Sequence, residues 1–221
     1  RQAAYEFDRM RKRITLHLNQ RSEMLSGISH DLRTPLTRLK LQLALIKQEN
    51  LAKKMSDDIE EMERMLNEYL EFAKYQKNEE TETVSLNNII EDIAKKYENK
   101  KINFSIEENL RINVRPNSIK RCLVNLTDNG LSYGKKVEIV AKKTANNVII
   151  FVDDDGPGIP EKEYQNVIKP FYRIDKSRGQ NKSGVGLGLS IANDIIRSHG
   201  GNISLNKSPL QGLRVKISLP L

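Results

Sequence analysis

The chain has 221 residues, and its 37 lysines and arginines exceed its 29 aspartates and glutamates, which gives a formal net charge of +8. This length suffices for one or two domains with apolar cores, and the single cysteine excludes a disulfide framework and a cysteine-ligated zinc site. The excess charge lies almost entirely beyond residue 80, without a dense basic stripe or interleaved aromatic residues. It therefore suits a polyphosphate ligand, and we expect no nucleic-acid partner.

The sequence also carries signals of cellular location. It has neither an apolar run of about eighteen residues nor the apolar centre of a signal peptide, so this stretch is expected neither to span a membrane nor to direct export. Because it begins at Arg1 in the middle of a helical pattern, we expect a fragment of a longer protein. The lone Cys122 within an apolar stretch fits a reducing, cytoplasmic setting.

The first predicted element is a long helix, because apolar residues recur alternately four and three positions apart. These residues are Ile14, Leu18, Leu25, Ile28 and Leu32, with Arg21 as the single exception, followed by Leu36, Leu39, Leu43 and Ile46. The second set is displaced by one residue where Pro35 occurs, so a kink or stutter is predicted there.

A second helix is predicted by the same spacing after a short polar turn. Its apolar positions are Met55, Ile59, Met62, Leu66, Tyr69 and Ala73. Two helices of this kind form a hairpin, and a single hairpin offers too little surface to cover both apolar seams. We therefore predict a homodimer in which two hairpins build a four-helix bundle.

Beyond this hairpin the pattern changes to a mixture of strands and helices. Strands are predicted near residue 84 and over 102–106, 111–115, 136–143, 147–153, 202–206 and 212–219, with helices over 86–99, 117–132 and 188–198. Such an order indicates an α+β sandwich with helices on one face of a sheet. The predicted domains are a signalling-helix end at 1–13, the hairpin at 14–77, a linker at 78–83 and an α+β domain at 84–221.

The middle of the first helix contains a candidate nucleophile, His30, followed directly by Asp31. Because the apolar seam occupies neighbouring positions, His30 is expected to face outward. A neutral imidazole can attack phosphorus while the carboxylate orients the ring and accepts its proton. Thr34 lies one turn further on the same face, where a hydroxyl can position water. A solvated surface histidine is the competing interpretation of the His-Asp pair alone.

Two asparagines, Asn125 and Asn129, lie one turn apart on the predicted helix 117–132. Amide oxygens can ligate Mg²⁺, which keeps several waters and bridges phosphates, so one or two protein oxygens suffice. A solvated helix surface is the alternative interpretation of this pair.

Two glycine-bearing segments follow. The first, from Asp153 to Pro160, ends a strand with three aspartates followed by Gly156 and Gly158, where a carboxylate can accept a hydrogen bond from the adenine amine. The second begins at Gly184 and leads into a helix whose first amides attract phosphate. Neither a Rossmann nor a Walker motif fits this second segment, since it lacks a preceding βαβ strand and a P-loop lysine. The polar run 177–183 before it is expected to be a lid.

The segment from Ile28 to Arg38 closely resembles the phospho-acceptor box of HisKA-class sensor histidine kinases, including those of the EnvZ-like osmosensor type. The three later segments resemble the N, G1 and G2 boxes of the kinases' GHKL-type ATP-binding domain. This resemblance implies that His30 is the phospho-acceptor, Asp31 the activating base and Thr34 a residue for dephosphorylating the partner. The residues that it implies for the nucleotide site are Asn125, Asn129, Tyr133, Asp155, Gly156, Gly158, Ile159, Phe171, Arg173, Gly184, Gly186, Leu187 and Gly188.

In this resemblance Asn129 binds Mg²⁺, Asn125 lies near the reacting phosphate, Tyr133 packs on adenine, Asp155 binds the adenine amine and Arg173 reaches the γ-phosphate. The implied activity is ATP-dependent autophosphorylation of the histidine, followed by transfer to an aspartate of a response-regulator receiver domain and dephosphorylation of that regulator. The implied location of the full protein is the cytoplasmic side of the bacterial inner membrane. Residues 1–13 resemble the end of a HAMP helix.

Two residues depart from this family pattern. Ser132 takes a position commonly held by a basic residue, so the positive charge for binding phosphate is expected from Lys135, Lys136 or Arg178. Val185 replaces a threonine.

Three alternative functions remain open at this point. They are ATP hydrolysis, disfavoured because Asn125 replaces the glutamate that activates water in related ATPases, a phosphatase-biased pseudokinase or dimeric scaffold, and a nucleic-acid-binding module.

Overall fold

A computed structural model describes residues 5–7, 9–10, 32–43, 51–53, 55–60, 62–63, 66, 79–97, 101–107, 110–174 and 186–221. The chain divides into two compact units, residues 1–78 and residues 79–221. Among the helices in the described ranges, none has the length and apolarity needed to cross a membrane. The predicted domain limits at residues 13, 77 and 83 stay predictions.

The first unit is helical wherever it is described. We label the helical residues 32–43 as α1 and those within 51–66 as α2, and residues 5–7 and 9–10 are helical as well. The helix α1 continues through Pro35 without interruption. Four residues of the predicted seams, Leu36, Leu43, Ile59 and Leu66, pack together between the two helices.

Four further seam residues within the described part of the first unit are exposed in the single chain. They are Leu32, Leu39, Met55 and Met62, and between 40% and 55% of the surface of each is accessible. Beside the buried cluster, Lys40 Nζ donates to Glu63 Oε2 at 2.7 Å, which joins α1 to α2. Among the described seam residues, four are therefore covered by packing within the chain and four are left accessible.

The second unit contains seven strands and three helices in its described residues. In chain order they are β1 Glu82–Ser85, α3 Leu86–Lys96, β2 Lys101–Ile106, β3 Arg111–Val114, α4 Pro116–Tyr133, β4 Lys136–Lys143, β5 Asn147–Asp154, a 3₁₀ turn Glu161–Glu163, α5 Gly188–Ser198, β6 Asn202–Lys207 and β7 Leu213–Pro220. The α+β sandwich expected from the sequence is confirmed. Helix α3 ends before residue 99, and β7 begins one residue later than expected.

The main sheet has the strand order β2-β4-β5-β7-β6. Strands β2 and β4 are parallel, and the other neighbours are antiparallel. Buried and half-buried residues alternate along β7, where Leu213, Val215, Ile217 and Leu219 face the helices. A separate two-stranded sheet pairs β1 with β3. This alternation produces a sheet with one face against the core.

The helices α4 and α5 pack against each other in opposite directions. Arg115, just before α4, contacts Ser198 at the end of α5, whereas Asn125 lies beside Gly188 at the start of α5. Helix α4 begins with Pro116 at a position where a missing N–H costs no helical hydrogen bond. The two helices therefore bring the middle of α4 to the N-terminus of α5.

Candidate active site

The predicted phospho-acceptor pair, His30 and Asp31, lies outside the described residues. Thr34 is described, and it is exposed on α1. The predicted outward direction of this face is therefore seen at Thr34 alone. The roles assigned to these three residues stay predictions.

The nucleotide site predicted in the second unit begins with Asn125 on α4. Its Nδ2 atom is buried without a hydrogen-bond partner among the described residues. A Cβ placed on Gly188 would lie 3.7 Å from the carbonyl oxygen of Asn125 and 4.0 Å from its Cβ. A buried amide donor that lacks a partner is costly, so its position beside the first residue of α5 is consistent with a ligand at this place.

The end of α4 lies against the segment that follows β5. A Cβ on Gly130 would lie 3.3 Å from Cβ of Asp154, and a Cβ on Gly156 would lie 3.2 Å from the backbone of Tyr133. Asn129, directly before Gly130, is half-buried, and Tyr133 is exposed at the end of the helix. The structure thus brings the end of α4, which carries Asn129, into direct contact with the first glycine segment.

Asp155, predicted to hold adenine, is engaged by the backbone instead. Its Oδ1 accepts hydrogen bonds from N of Lys135 at 2.6 Å and N of Lys136 at 2.8 Å. These bonds, with that of Lys136 the larger, lower the pKa of the Asp155 carboxyl group. The side chain is otherwise exposed. Through these two hydrogen bonds, Asp155 holds the loop after α4 against the end of β5.

Asp154, the preceding residue, is the more enclosed carboxylate. It is buried, and its Oδ1 accepts hydrogen bonds from N of Gly156 at 2.8 Å and N of Leu213 at 3.1 Å. No hydrogen bond to its Oδ2 is found within the described part of the chain. Burial raises the pKa of Asp154, although these two backbone bonds oppose the shift. Its second carboxylate oxygen remains available for a ligand.

Asp153, the third member of the run, has a structural role. Its two carboxylate oxygens accept hydrogen bonds from Nε of Arg214 at 2.7 Å and from a terminal nitrogen of the same guanidinium at 2.8 Å. The guanidinium also lies 4.5 Å from the ring centre of Phe151. This ion pair joins β5 to β7, and it occupies both carboxylate oxygens of Asp153.

Sequence reasoning missed Asp154 and the turn that holds it. Residues alternate faces along a strand, so neighbouring aspartates at the end of β5 could not share one role. Counting two positions back from Gly156, in the D-x-G-x-G order, also leads to Asp154. Contact with the β6–β7 turn through Leu213 carries no signal in a single sequence, because it joins distant segments.

The residues from Phe171 to Arg173 and the second glycine segment meet at Gly186. N of Phe171 donates to the carbonyl oxygen of Gly186 at 3.1 Å, and a Cβ on Gly186 would lie 2.9 Å from the carbonyl oxygen of Tyr172. Both Phe171 and Gly186 have positive φ angles, 63° and 78°. Arg173 is half-buried beside them. Gly184 and the expected lid lie outside the described residues.

The other residues predicted to bind nucleotide have mixed surroundings. Gly158 has a φ of 70° and lies against Gly212, and Ile159 packs partly against the core. The side chain of Leu187 is fully buried, so its contribution to a ligand site would come from its backbone. Ser132, at the position noted for its missing positive charge, donates to the carbonyl oxygen of Asp128 at 2.7 Å.

Two family models match the chain. Residues 20–78 match the His Kinase A (phospho-acceptor) domain, and residues 114–221 match the histidine kinase-, DNA gyrase B-, and HSP90-like ATPase. The two matches cover the hairpin and most of the α+β unit. They fall on the two segments that carry the predicted nucleophile and the predicted nucleotide site.

Curated relatives match over nearly the whole chain. The sensor histidine kinase GtrS of Pseudomonas aeruginosa is 38% identical over 99% of this chain and 46% of its own length. CpxA of Escherichia coli is 32% identical over 99% and 51%, and ArlS of Staphylococcus aureus is 31% identical over 97% and 52%. The chain thus spans about half the length of these relatives.

Solved structures share the fold of the second unit. The catalytic domain of the histidine kinase ThkA is 27% identical, has a TM-score of 0.56 and covers 64% of this chain and 95% of its own. Full-length ShkA in complex with AMPPNP is 20% identical, has a TM-score of 0.68 and covers 90% of this chain and 45% of its own. The ShkA likeness concerns the fold alone.

Proposed function

Since the chain belongs to the sensor histidine kinases, whose phospho-acceptor and ATPase-type domains it carries, we propose that it catalyses ATP-dependent phosphorylation of its own His30. The observation that carries the proposal is the site at the meeting point of α4, α5 and β5. There Asn125, whose buried Nδ2 has no hydrogen-bond partner among the described residues, lies beside Gly188. Gly130 and Gly156 allow the end of α4 to pack directly against the end of β5.

Adenine recognition is assigned in this proposal to Asp154 rather than Asp155. Oδ1 of Asp154 is fixed by two backbone donors, and its Oδ2 is not used by the described residues. An exocyclic amine is a donor and suits this acceptor in a buried site. Tyr133, Gly156, Gly158 and Ile159 lie on the elements around it and would contact the base.

The phosphates would lie toward α5. The first amides of this helix, at Gly188, favour negative charge through the helix dipole. Phe171, Gly186 and the backbone of Leu187 shape this end, and Arg173 would reach the γ-phosphate. Gly184 belongs to the same proposed loop.

We assign Mg²⁺ to the amide oxygen of Asn129 together with the phosphates of ATP. The described residues contain no group of three or more acidic, histidine or cysteine side chains placed to hold a metal, and Mg²⁺ commonly needs only one or two protein ligands beside phosphate. The ion would neutralise charge on the transferring phosphoryl group. Asn125 would lie beside that group and donate its Nδ2 hydrogen.

In the chemical step a ring nitrogen of His30 attacks the γ-phosphorus, an N–P bond forms, and the bond to the oxygen bridging the β- and γ-phosphates breaks. ADP leaves, and Asp31 accepts the imidazole proton. An amide at Asn125 is no general base, so activation of water for ATP hydrolysis lacks a residue here.

Dimerisation is proposed through the hairpin. Leu32, Leu39, Met55 and Met62 continue the seam of the buried cluster yet stay exposed in the single chain. A second copy would present the same residues, so a two-fold four-helix bundle buries them.

The downstream partner is proposed to be a response-regulator receiver domain, whose aspartate accepts the phosphoryl group from His30. Thr34 would orient water for removal of that phosphoryl group in the reverse direction. For the full-length protein we propose a membrane anchor upstream and a location on the cytoplasmic side of the bacterial inner membrane.

The proposal is tested by incubating the chain with γ-labelled ATP and magnesium, beside His30→Gln and Asn129→Asp. We expect acid-labile label on the unchanged chain and none on either variant, with His30→Gln still binding ATP. A dimeric chain that binds ATP without becoming labelled would contradict kinase activity. It would favour a phosphatase or a signalling scaffold.

A further inference from the structure

A cluster at the end of the α4–α5 pair opposite to Asn125 and Gly188 joins the start of α4 to the end of α5. Its centre is His199, the residue after α5, whose Nε2 accepts hydrogen bonds from the backbone N of Arg115 at 3.0 Å and from Nε of the same residue at 3.3 Å. Its Nδ1 lies 2.7 Å from the carbonyl oxygen of Ile195. The Arg115 guanidinium also donates to Ser198 Oγ.

These partners determine the protonation state of the ring. An amide N–H and a guanidinium can only donate, so Nε2 must present a lone pair to Arg115. A carbonyl oxygen can only accept, so Nδ1 must carry the hydrogen. The imidazole of His199 is therefore neutral in this arrangement, and a proton on Nε2 would face two N–H groups and a positive charge.

Two charged groups from other elements act on this histidine. Burial lowers the pKa of His199 most, the charge of Arg115 lowers it further, and the bond to Ile195 and the charge of Glu79 raise it. Glu79 lies at the N-terminus of α4, where its carboxylate accepts from N of Asn117 at 2.6 Å and N of Ser118 at 3.0 Å. The net direction is a lowered pKa.

The two helices joined here are those that carry the site. Helix α4 bears Asn125 and Asn129, and α5 begins at Gly188. A contact between the far ends of two antiparallel helices fixes how far one can slide along the other. Its loss changes the spacing at the near end, where the amide of Asn125 and the amides of α5 must act together.

We propose that His199 is a positioning residue whose neutral ring sets the register of α4 against α5, and that a proton on Nε2 breaks this contact and weakens nucleotide binding in mild acid. The inference rests on the proposed function, because it takes ATP as the ligand. A histidine with a lowered folded pKa stabilises the fold above its unfolded pKa of about 6.5. That contribution is lost as the pH falls toward the folded pKa.

The test measures Mg-ATP binding by calorimetry at about pH 7.5 and about pH 5.5 in a chain with His17→Gln and His30→Gln, where His199 is the only histidine. We expect affinity to fall several-fold in acid. Adding His199→Gln keeps an acceptor for Arg115 without a titrating ring, so the acid loss should shrink to that caused by Asp154 and other carboxylates. His199→Phe leaves the Arg115 N–H without an acceptor and should bind weakly at both pH values.

The imidazole signal of the single-histidine chain provides an independent measurement by NMR. An apparent pKa below the ordinary histidine value supports the inference when the binding loss follows the same titration. An equal acid loss in the His199→Gln variant, or an ordinary pKa for His199, overturns it while ATP binding at neutral pH leaves the proposed function intact. Absence of binding at neutral pH overturns the proposed function and the inference together.

Discussion

The backbone N of Leu213 donates a hydrogen bond to Oδ1 of Asp154 at 3.1 Å, across 59 positions of sequence. With N of Gly156 on the same oxygen, this bond fixes the rotation of the carboxylate and leaves Oδ2 for another donor. The turn between β6 and β7 therefore orients a side chain at the end of β5. The residue that we propose to bind the base is thus positioned by the last strand of the chain.

We expect Asp154→Asn to lower ATP affinity by about tenfold or more, since a lost hydrogen bond to a buried partner costs roughly 1–3 kcal/mol. The amide oxygen must face the two backbone donors, so its NH₂ group would face the adenine amine. Calorimetric titration with ATP measures the effect. Asp155→Asn is the matched control and keeps an acceptor for Lys135 and Lys136, so equal losses in both variants would contradict the assignment.

A second prediction concerns Gly212, where a Cβ would lie 2.1 Å from Oδ1 of Asp154 and 2.4 Å from its carbonyl oxygen. Gly212→Ala must shift the turn or the carboxylate, and overpacking costs about 1–3 kcal/mol of folding stability. We expect the variant to lose most of its preference for ATP over an analogue that lacks the 6-amino group.

The control is Gly201→Ala, whose Cβ would lie 2.4 Å from the carbonyl oxygen of Ser218. This contact lies at the end of the β6–β7 strand pair opposite to the turn. Gly201→Ala should lower stability by a similar amount and retain the preference for ATP. If Gly212→Ala kept the preference for ATP over the analogue as fully as Gly201→Ala, the turn would act on folding stability alone.

The sequence predicted the order of elements well because hydrophobic period and helix-start residues are local signals. Every α-helix and strand described in the α+β unit lies near its predicted position, and α4 begins at Pro116 as expected from its terminal signals. The parallel pairing of β2 with β4 and the role of Asp154 depend on contacts between distant segments. Such contacts leave no mark in a single sequence, although the D-x-G-x-G spacing that ends at Gly158 would by itself have singled out Asp154.

Glu79 predicts a pH-dependent contribution at the N-terminus of α4. Its carboxylate accepts from Ser118 Oγ at 2.7 Å and from N of Asn117 and Ser118. Burial opposes these hydrogen bonds, yet their sum lowers the pKa of Glu79. A carboxyl group with a lowered folded pKa stabilises above its unfolded value and loses that contribution as the pH falls through the folded pKa.

We therefore expect Glu79→Gln to lower the free energy of unfolding by about 1 kcal/mol near neutral pH, and the difference should vanish in acid. Urea unfolding across a pH series measures it. Its exposed neighbour Glu80 supplies the control, because Glu80→Gln should change stability little at any pH. A difference between the Glu79→Gln variant and the unchanged chain that persists below the folded pKa would contradict the assignment.

Thr34→Ala should separate two activities on the hairpin. The exposed hydroxyl is proposed to orient water and takes no part in attack by His30, so dephosphorylation of a phosphorylated receiver domain should fall by about tenfold or more while labelling of His30 continues. Thr37→Ala is the control, because Thr37 is a second exposed threonine of α1, three residues further along the helix, and its Oγ1 donates to the carbonyl oxygen of Arg33 at 2.9 Å. Loss of both activities in the Thr34→Ala variant would indicate a structural effect.

The exposed part of the hairpin seam yields the last prediction. Leu39 lies on the seam with 43% of its surface exposed, whereas Leu41 is 67% exposed on the other side of α1. A lysine buried between two copies lacks a partner charge, and its desolvation is costly, so Leu39→Lys should turn a dimer into a monomer at micromolar concentration while retaining ATP binding. Leu41→Lys should remain dimeric. Light scattering gives the mass of each, and a dimeric Leu39→Lys chain would place the interface elsewhere.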